Sequence, residues 1–590
     1  MINPIPEKEK RKLQQEFEAL QLVLDNDLTL IEHKDELLEV WYASSFIKRV
    51  CISQPEWLGS LLANSELQIN LDLDSYRRVV NKVVVNIDSV EELQKQLRRI
   101  RMVAFARIAW RDLQGYASVQ QTLAELSFFA EACVEEVLQW CFMWQKSKAR
   151  DNNFVENLSQ NIVIFALGKL GGRELNFSSD IDIVFAYSEG GELSQEHAGQ
   201  TAEFYLKVVQ LFIKVLSEQT QDGFVFRVDT RLRPFGDSGT LIPSFQSIDQ
   251  YFQSHGRDWE RYAWMKARVV AGDREMGEQF LVDVTPFIYR RYLDYGAIQS
   301  LREMKSLIDT KASQGAAKEN LKIGIGGIRE IEFTAQMFQL IYGGKDTSLQ
   351  IGSTMQALQQ LQIQKLISVK WFEELTAAYL FLRKAENCLQ LREDQQIHSL
   401  PAGKQQQQHF VYLMEMQDWQ SFYAEYKKHA GIVNAVYQSL LNADNVDESE
   451  EVKLDEFENL WMQIEEREYG LNILRKYFAD DSQHIFEQLY TFSQSSLVQK
   501  LIPIGRSRLD RFVPFFLRQL LQFDDPVVVF NRFLQVLKSI VQRSTYISLL
   551  LENKNKLATL FMLMNNSPWV SQYLATHPLL LDEILSVDGS

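Results

Sequence analysis

Apolar residues recur at three- and four-residue spacing along most of the chain. That spacing predicts amphipathic helices over Glu9–Leu24, Val90–Leu113, Ser118–Lys148, Ala202–Glu218, Ser353–Arg392 and Pro526–Asn553. Proline is scarce, 12 in 590 residues, which suits long helices. No fixed-period repeat is present, so a solenoid is not supported. Between Asn161 and Asp229 the pattern changes. NIVIFALG (161–168), DIDIVFAYS (180–188) and GFVFRVD (223–229) are short β-branched and aromatic runs, and each predicts a strand. The expected fold is mainly α, with an embedded α+β domain, a small mixed sheet flanked by helices, and helical bundles around it.

Two polar stretches interrupt the helices. GKQQQQHF, Gly403–Phe410, reads as a surface loop. NADNVDESEEVKLDE, Asn442–Glu456, is acidic and poor in aromatics, and reads as a linker. The expected organisation is a helical region over 1–135, the α+β domain over 136–298, a helical bundle over 299–443, an acidic linker over 444–456 and a second helical region over 457–590.

The second strand raises a chemical question. Side chains alternate along a strand, so Asp180 and Asp182 share one face while Ile181 and Ile183 point to the core. Aspartate is a poor strand former, and two carboxylates side by side repel each other and resist losing water. A divalent cation compensates both effects, and hard carboxylate oxygens suit magnesium. Asp229, at the end of the third strand, supplies a third carboxylate if that strand lies beside the second. Such a set can hold an attacking and a leaving oxygen in line.

The turn before the pair, GKLGGRELNFSS, fits phosphate chemistry. Gly168, Gly171 and Gly172 let the backbone approach a phosphate, and Lys169 adds a positive charge. Ser179 joins this phosphate-binding set, as do Arg231 and Arg233, whose guanidinium groups can fork onto phosphate oxygens. The run matches neither GxxxxGK[ST] nor GxGxxG, so neither the P-loop nor the dinucleotide fingerprint applies.

Composition narrows the field. Hydrophobic residues make up 46% and charged residues 24%, with 62 basic against 78 acidic residues and a net charge of −16. That balance argues against a broad nucleic-acid binder. Cys51, Cys133, Cys141 and Cys388 form no CxxC pair, so no zinc cage or disulfide framework is indicated. The opening MINPIPEKEKRKLQQEF has no apolar signal core, and no apolar run reaches membrane-spanning length. A cytoplasmic, non-membrane protein is expected.

The string GKLGGRELNFSSDIDIVF, with VDTRLRP (228–234), KIGIGGIREIEF (322–333) and IGRSRLDRFVPFFL (504–517), closely resembles the glutamine synthetase adenylyltransferase/adenylyl-removing family of the polymerase-β-type nucleotidyltransferase superfamily. The resemblance covers most of the chain after about residue 161. It implies a nucleotidyltransferase domain with Asp180, Asp182 and Asp229 as magnesium ligands and catalytic residues. It implies glutamine synthetase as protein substrate, phosphate and ADP or ATP as small substrates, and a PII-type signal protein and glutamine as effectors. The family resembles two fused transferase units, and only one full constellation occurs here, so the chain reads as truncated before a second unit. The family's amino-terminal unit is the remover, which implies phosphorolysis of adenylyl-tyrosine. The alternatives are transfer of AMP from ATP to a protein tyrosine, a nucleic-acid polymerase of the same superfamily, and a non-catalytic signal-binding adaptor.

Other features carry milder readings. Asp72 and Asp74 precede the helical pattern SYRRVVNKVV and read as a helix start. Arg329 and Glu330 open a helix in GGIREIEF and are possible site residues. HGRDWERYAWMKAR, His255–Arg268, reads as an amphipathic helix, and His398 as structural or surface. Arg506, Arg508 and Arg511 read as a helix face near Asp510.

Overall fold

The computed structural model describes residues 4–24, 28–149, 160–188, 194–221, 223–289, 319–392, 396–441, 456–501, 503–542, 544–552, 554–578 and 580–581. They are mainly helical, with one four-stranded mixed sheet. The acidic stretch 442–455 lies outside the described residues.

The sheet has the order β3-β2-β1-β4. β1 is Ile162–Ala166, β2 Ile181–Tyr187, β3 Val228–Asp229 and β4 Arg268–Gly272. β1 pairs antiparallel with β2 and with β4. All five of its residues are buried, as suits a central strand of unbroken apolar sequence. β2 and β3 run parallel, and the helix Ser194–Ser217 makes the crossover between them. That pairing sets Asp182 opposite Asp229. The 30-residue helix Val119–Lys148 packs on β4 and on the crossover helix, and begins with a Ser118–Gln121 capping box.

Several elements depart from the sequence pattern. The GFVFRVD run forms a ladder only at Val228–Asp229, because the Val225 and Phe226 amides donate to Leu216 O at the end of the crossover helix. His255–Arg268 is not one helix. Short helices at Phe245–His255 and Asp258–Trp264 are followed by β4, an edge strand for which Val269 and Val270 supply the β-branched residues. GKQQQQHF is not a surface loop: Gly403 precedes a helix, Lys404–Leu413, whose Phe410, Val411 and Leu413 are buried. Lys and Gln are good helix formers, so a polar start did not prevent it. The long pattern over Ser353–Arg392 divides into Thr354–Ile363 and Val369–Leu391, with Lys365 at φ +58° between them and Ser368 capping the second. Pro526–Asn553 likewise divides, into Pro526–Ile540 and Ser544–Glu552. Asp72 does start a helix, Leu73–Val84, its carboxylate accepting from Ser75 N at 2.9 Å.

Buried apolar residues form two clusters. One runs from Leu13 to Tyr437 and includes the sheet, and the other runs from Phe457 to Leu581. In the second, Arg506 pairs with Asp510 at 2.8 Å along its own helix. Cys51, Cys133, Cys141 and Cys388 are all buried and free. Among the described residues, no helix is long and apolar enough to cross a membrane.

Candidate functional site

The site lies at the start of β2, where the glycine-rich segment, the two aspartates and β3 meet. The chain leaves β1 through Leu167, whose amide donates to Asp182 O at 2.9 Å, and enters a short helical turn, Gly168–Gly171. Gly168 has φ +52°, a backbone region open mainly to glycine, and a Cβ there would collide with Asp182 Oδ2. Gly171 passes equally close to backbone, and a Cβ would strike Lys266 O. The Gly171 and Gly172 amides are committed to Leu167 O (2.9 Å) and Gly168 O (3.2 Å).

Two arginines clamp the turn from below. Arg268 on β4 donates to Leu170 O at 3.0 Å and Gly171 O at 3.2 Å, and its guanidinium grips Glu131 at 2.6 and 2.7 Å. Arg173 reaches the same Glu131 carboxylate at 3.1 Å. The turn is therefore held by the longest helix of the domain, not by local sequence alone.

The three aspartates occupy different environments. Asp180 stands just before β2, with Gln396 Nε2 at 3.5 Å from its carboxylate. Burial, then the Asp180 and Asp229 charges, push the Asp182 carboxyl up to about 7, with Lys322 and Lys169 opposing. Asp229 goes the other way: hydrogen bonds from Arg231 hold it below the usual carboxylate range. Arg231 Nε lies 3.0 Å from both carboxylate oxygens, Arg231 N donates to Oδ1 at 2.8 Å, and Nη2 completes the fork.

The remaining candidates are placed as follows. Lys169 is not at the surface: its Nζ donates to Asn176 Oδ1 at 2.6 Å and to the fully buried Glu386 at 3.0 and 3.3 Å. Burial pushes the Lys169 ammonium down to about 8 against the pull of Glu386. Ser179 Oγ donates to the same Asn176 oxygen. Arg233 is buried, with Nη1 on Thr230 O and Oγ1, both at 2.8 Å. Arg329 and Glu330 open the helix Ile328–Tyr342, and Glu330 Oε2 accepts from Gly326 N at 3.1 Å.

Sequence reasoning missed a layer of charge beneath the turn. Lys266 Nζ donates to Glu174 at 3.0 Å and lies 3.5 Å from Glu332. Glu174 also accepts from Thr354 N at 2.6 Å and Thr354 Oγ1 at 3.0 Å. Burial alone would raise Glu386, but Lys169, Arg383 and His398 hold it well below the usual range. A signal was available: Arg383, Glu386, Asn387 and Gln390 put a polar stripe at helical spacing among apolar core positions.

The carboxylates suit a divalent cation. Asp182 lies in register with Asp229 and two residues from Asp180, and its carboxyl is raised first by burial and then by these two charges, both of which a bound cation would offset. Among the described residues, however, no group of three acidic, His or Cys side chains stands ready-arranged for a metal. Asp180 and Asp182 carry the carboxylate oxygens that such an ion takes, while the Asp229 carboxylate is occupied by Arg231.

Residues 34–283 match the family model described as glutamate-ammonia ligase adenylyltransferase, and residues 300–441 match that described as GlnD PII-uridylyltransferase. A protein of Thioalkalivibrio sulfidiphilus is 36% identical over 99% of this chain and 61% of its own length. Proteins of Nitrosococcus oceani and Pseudomonas putida are each 38% identical, over 92% and 94% of this chain and 57% of their own lengths. All three are named bifunctional glutamine synthetase adenylyltransferase/adenylyl-removing enzyme. The chain thus spans about three fifths of the length of these curated relatives.

Proposed function

Because residues 34–283 match the glutamate-ammonia ligase adenylyltransferase family model, we propose that this site removes AMP from adenylylated glutamine synthetase by phosphorolysis. The observation that carries the reading is the acid cluster itself: Asp182 in register with Asp229, beside Asp180, and packed under Gly168. An oxygen of inorganic phosphate attacks the AMP phosphorus, the bond to the tyrosine oxygen breaks, that oxygen takes up a proton, and the products are ADP and glutamine synthetase with its tyrosine unmodified. Bound magnesium would neutralise charge on the transferring adenylyl phosphate and on the departing oxygen.

This chain's residues have separate parts. Asp180 and Asp182 hold the ion, and Asp229 joins them. Gly168 brings backbone close to the reacting phosphate because it carries no side chain. Arg231 is exposed, and its long side chain can turn from Asp229 to fork onto phosphate oxygens. Arg233 and Ser179 brace the loops that carry Asp229 and Asp180.

The test supplies full-length chain with adenylylated glutamine synthetase, phosphate and magnesium, then unmodified glutamine synthetase with ATP. ADP release in the first arm supports removal. Label transfer in the second alone points to the adenylyltransferase reading, and neither product points to a signal-binding adaptor.

Arg231→Gln gives a second check. With the guanidinium gone, Asp229 is free for metal, and Mn2+ affinity of the nucleotide-free protein should rise roughly tenfold by removal of the competing charge. Unchanged affinity in a Mn2+ titration would remove Asp229 from the metal set.

Regulation is proposed to act through the helical segments after the site, with a PII-type signal protein and glutamine as effectors. Cutting the chain near residue 446 should leave phosphorolysis intact in 1–445, which holds all three aspartates, while any effector response seated in 457–590 is lost. A folded 1–445 fragment that is inactive without effectors would mean that the site is shared with the later segment.

A further inference from the structure

The helix Val369–Leu391 buries four polar side chains completely, Arg383, Glu386, Asn387 and Gln390. Groups of this kind are costly to bury unless paired, so their partners show what the helix is built to hold. Two of them reach the two shoulders of the acid cluster. Glu386 takes Lys169 Nζ at 3.0 and 3.3 Å. Lys169 directly follows Gly168, whose backbone abuts the Asp182 carboxylate. One helical turn later, Gln390 Oε1 accepts from Ser178 N at 2.9 Å and from Asn176 Nδ2. Asn176 Oδ1 in turn receives Lys169 Nζ and Ser179 Oγ, so the two shoulders are tied to each other. Arg227, the residue before β3, donates to Ser178 O and to Ser178 Oγ at 3.1 Å. The Ile181 amide then bonds Arg227 O at 2.9 Å, which sets β3 beside β2.

We propose that Glu386 and Gln390 are positioning residues of the transfer site. Glu386 holds the Gly168 turn against Asp182 through Lys169, and Gln390 holds the Asn176–Ser179 approach to Asp180 and the start of β3. Lys169 then acts as a strut between the helix and the turn, and the phosphate is met by other groups. The helix lies in the stretch that matches the PII-uridylyltransferase model, so that stretch takes part in building the catalytic geometry. The proposal rests on the reading of the site as a nucleotidyltransferase that moves an adenylyl group.

The experiment uses the full chain with adenylylated glutamine synthetase and phosphate, together with amide hydrogen exchange. Glu386→Gln and Lys169→Met should each lower kcat about a hundredfold, the scale of a small misplacement of reacting groups, with both KM values within about twofold. Glu386→Gln takes the carboxylate from Lys169, and Lys169→Met leaves Glu386 with only Arg383 and His398, so each single variant is expected to melt lower. The double variant Lys169→Met/Glu386→Gln removes both charges of the strut and keeps a side-chain oxygen for Arg383 and His398. It should melt no lower than Glu386→Gln and keep the same kcat loss, no deeper than either single. Gln390→Leu should lower kcat about tenfold, because Arg227 still holds Ser178. In Glu386→Gln, amides of 168–180 should exchange faster while those of 162–166 do not change.

A well-folded double variant with wild-type kcat would overturn the proposal. So would a Lys169→Met or Glu386→Gln loss seated in the KM for phosphate, which would make Lys169 a phosphate ligand. Unchanged exchange over 168–180 would overturn it too. If the wild-type chain releases no ADP, the assigned reaction fails, and the exchange measurement still decides whether the strut exists.

Discussion

Asp182→Asn should abolish phosphorolysis, with a loss of at least about a thousandfold, and leave the metal-free protein as stable as wild type or more stable above pH 7. The loss follows from removing a carboxylate at the centre of the acid cluster. The stability follows from linkage. Asp182 has its folded pKa raised from 3.8 to about 7, chiefly by burial and then by Asp180 and Asp229. Between those two values the folded state binds more protons than the unfolded chain, so stability falls as pH rises through that window. The penalty is complete above about pH 7 and amounts to at most about 4 kcal/mol. Asparagine carries no charge and escapes it. Melting curves in EDTA at pH 5 and pH 8 check this: the wild type should lose more stability between them than Asp182→Asn does. Asp180→Asn should abolish turnover in the same assay with little change in fold. Near-wild-type activity in either variant, or a large fall in melting temperature at pH 8 for Asp182→Asn, would remove the metal-ligand assignment.

Gly168→Ala should cost turnover about a hundredfold, because a small displacement at the reacting centre is enough to do so. Two effects combine. The backbone sits at φ +52°, where alanine costs about 1 kcal/mol relative to glycine. The new methyl also meets the Asp182 carboxylate itself, so the collision falls on the chemistry. Gly171→Ala makes the informative contrast. There the methyl strikes Lys266 O and Ala166 O, both backbone, so the expected loss is in folding. Mn2+ affinity should drop in Gly168→Ala and stay near wild type in any Gly171→Ala that folds. A Gly168→Ala variant with kcat within threefold of wild type would mean that Asp182 steps aside without cost.

The two glycines also show why the local reading worked where it did. Gly168, Asp180 and Asp182 lie within one short segment, and glycine next to acids on a strand is a conflict that local sequence displays by itself. Asp229 was reachable because a strand pattern ended on it, although only its last two residues pair with β2. Helix boundaries failed where the apolar spacing continued through a break. The turn at Lys365 keeps the three- and four-residue rhythm on both sides, so no change of period marks it. β4 was hidden for the opposite reason: five residues carry too few periods to announce a strand, and its ladder partner lies about a hundred residues away in β1.

The sequence alone thus determined the helical character of the chain, the strands β1 and β2, and the glycine–aspartate core of the site, since each depends on residues close together along the chain. The tertiary structure alone decided what holds that core. Glu386 reaches Lys169 across 217 positions, and Gln390 reaches Ser178 across 212. Arg231 folds back onto Asp229, while Glu131 anchors Arg268 and Arg173 under the turn. A charge buried on a helix face declares that it needs a partner, because desolvation makes an unpaired one costly. Which partner it finds is set by the packing of elements distant in sequence.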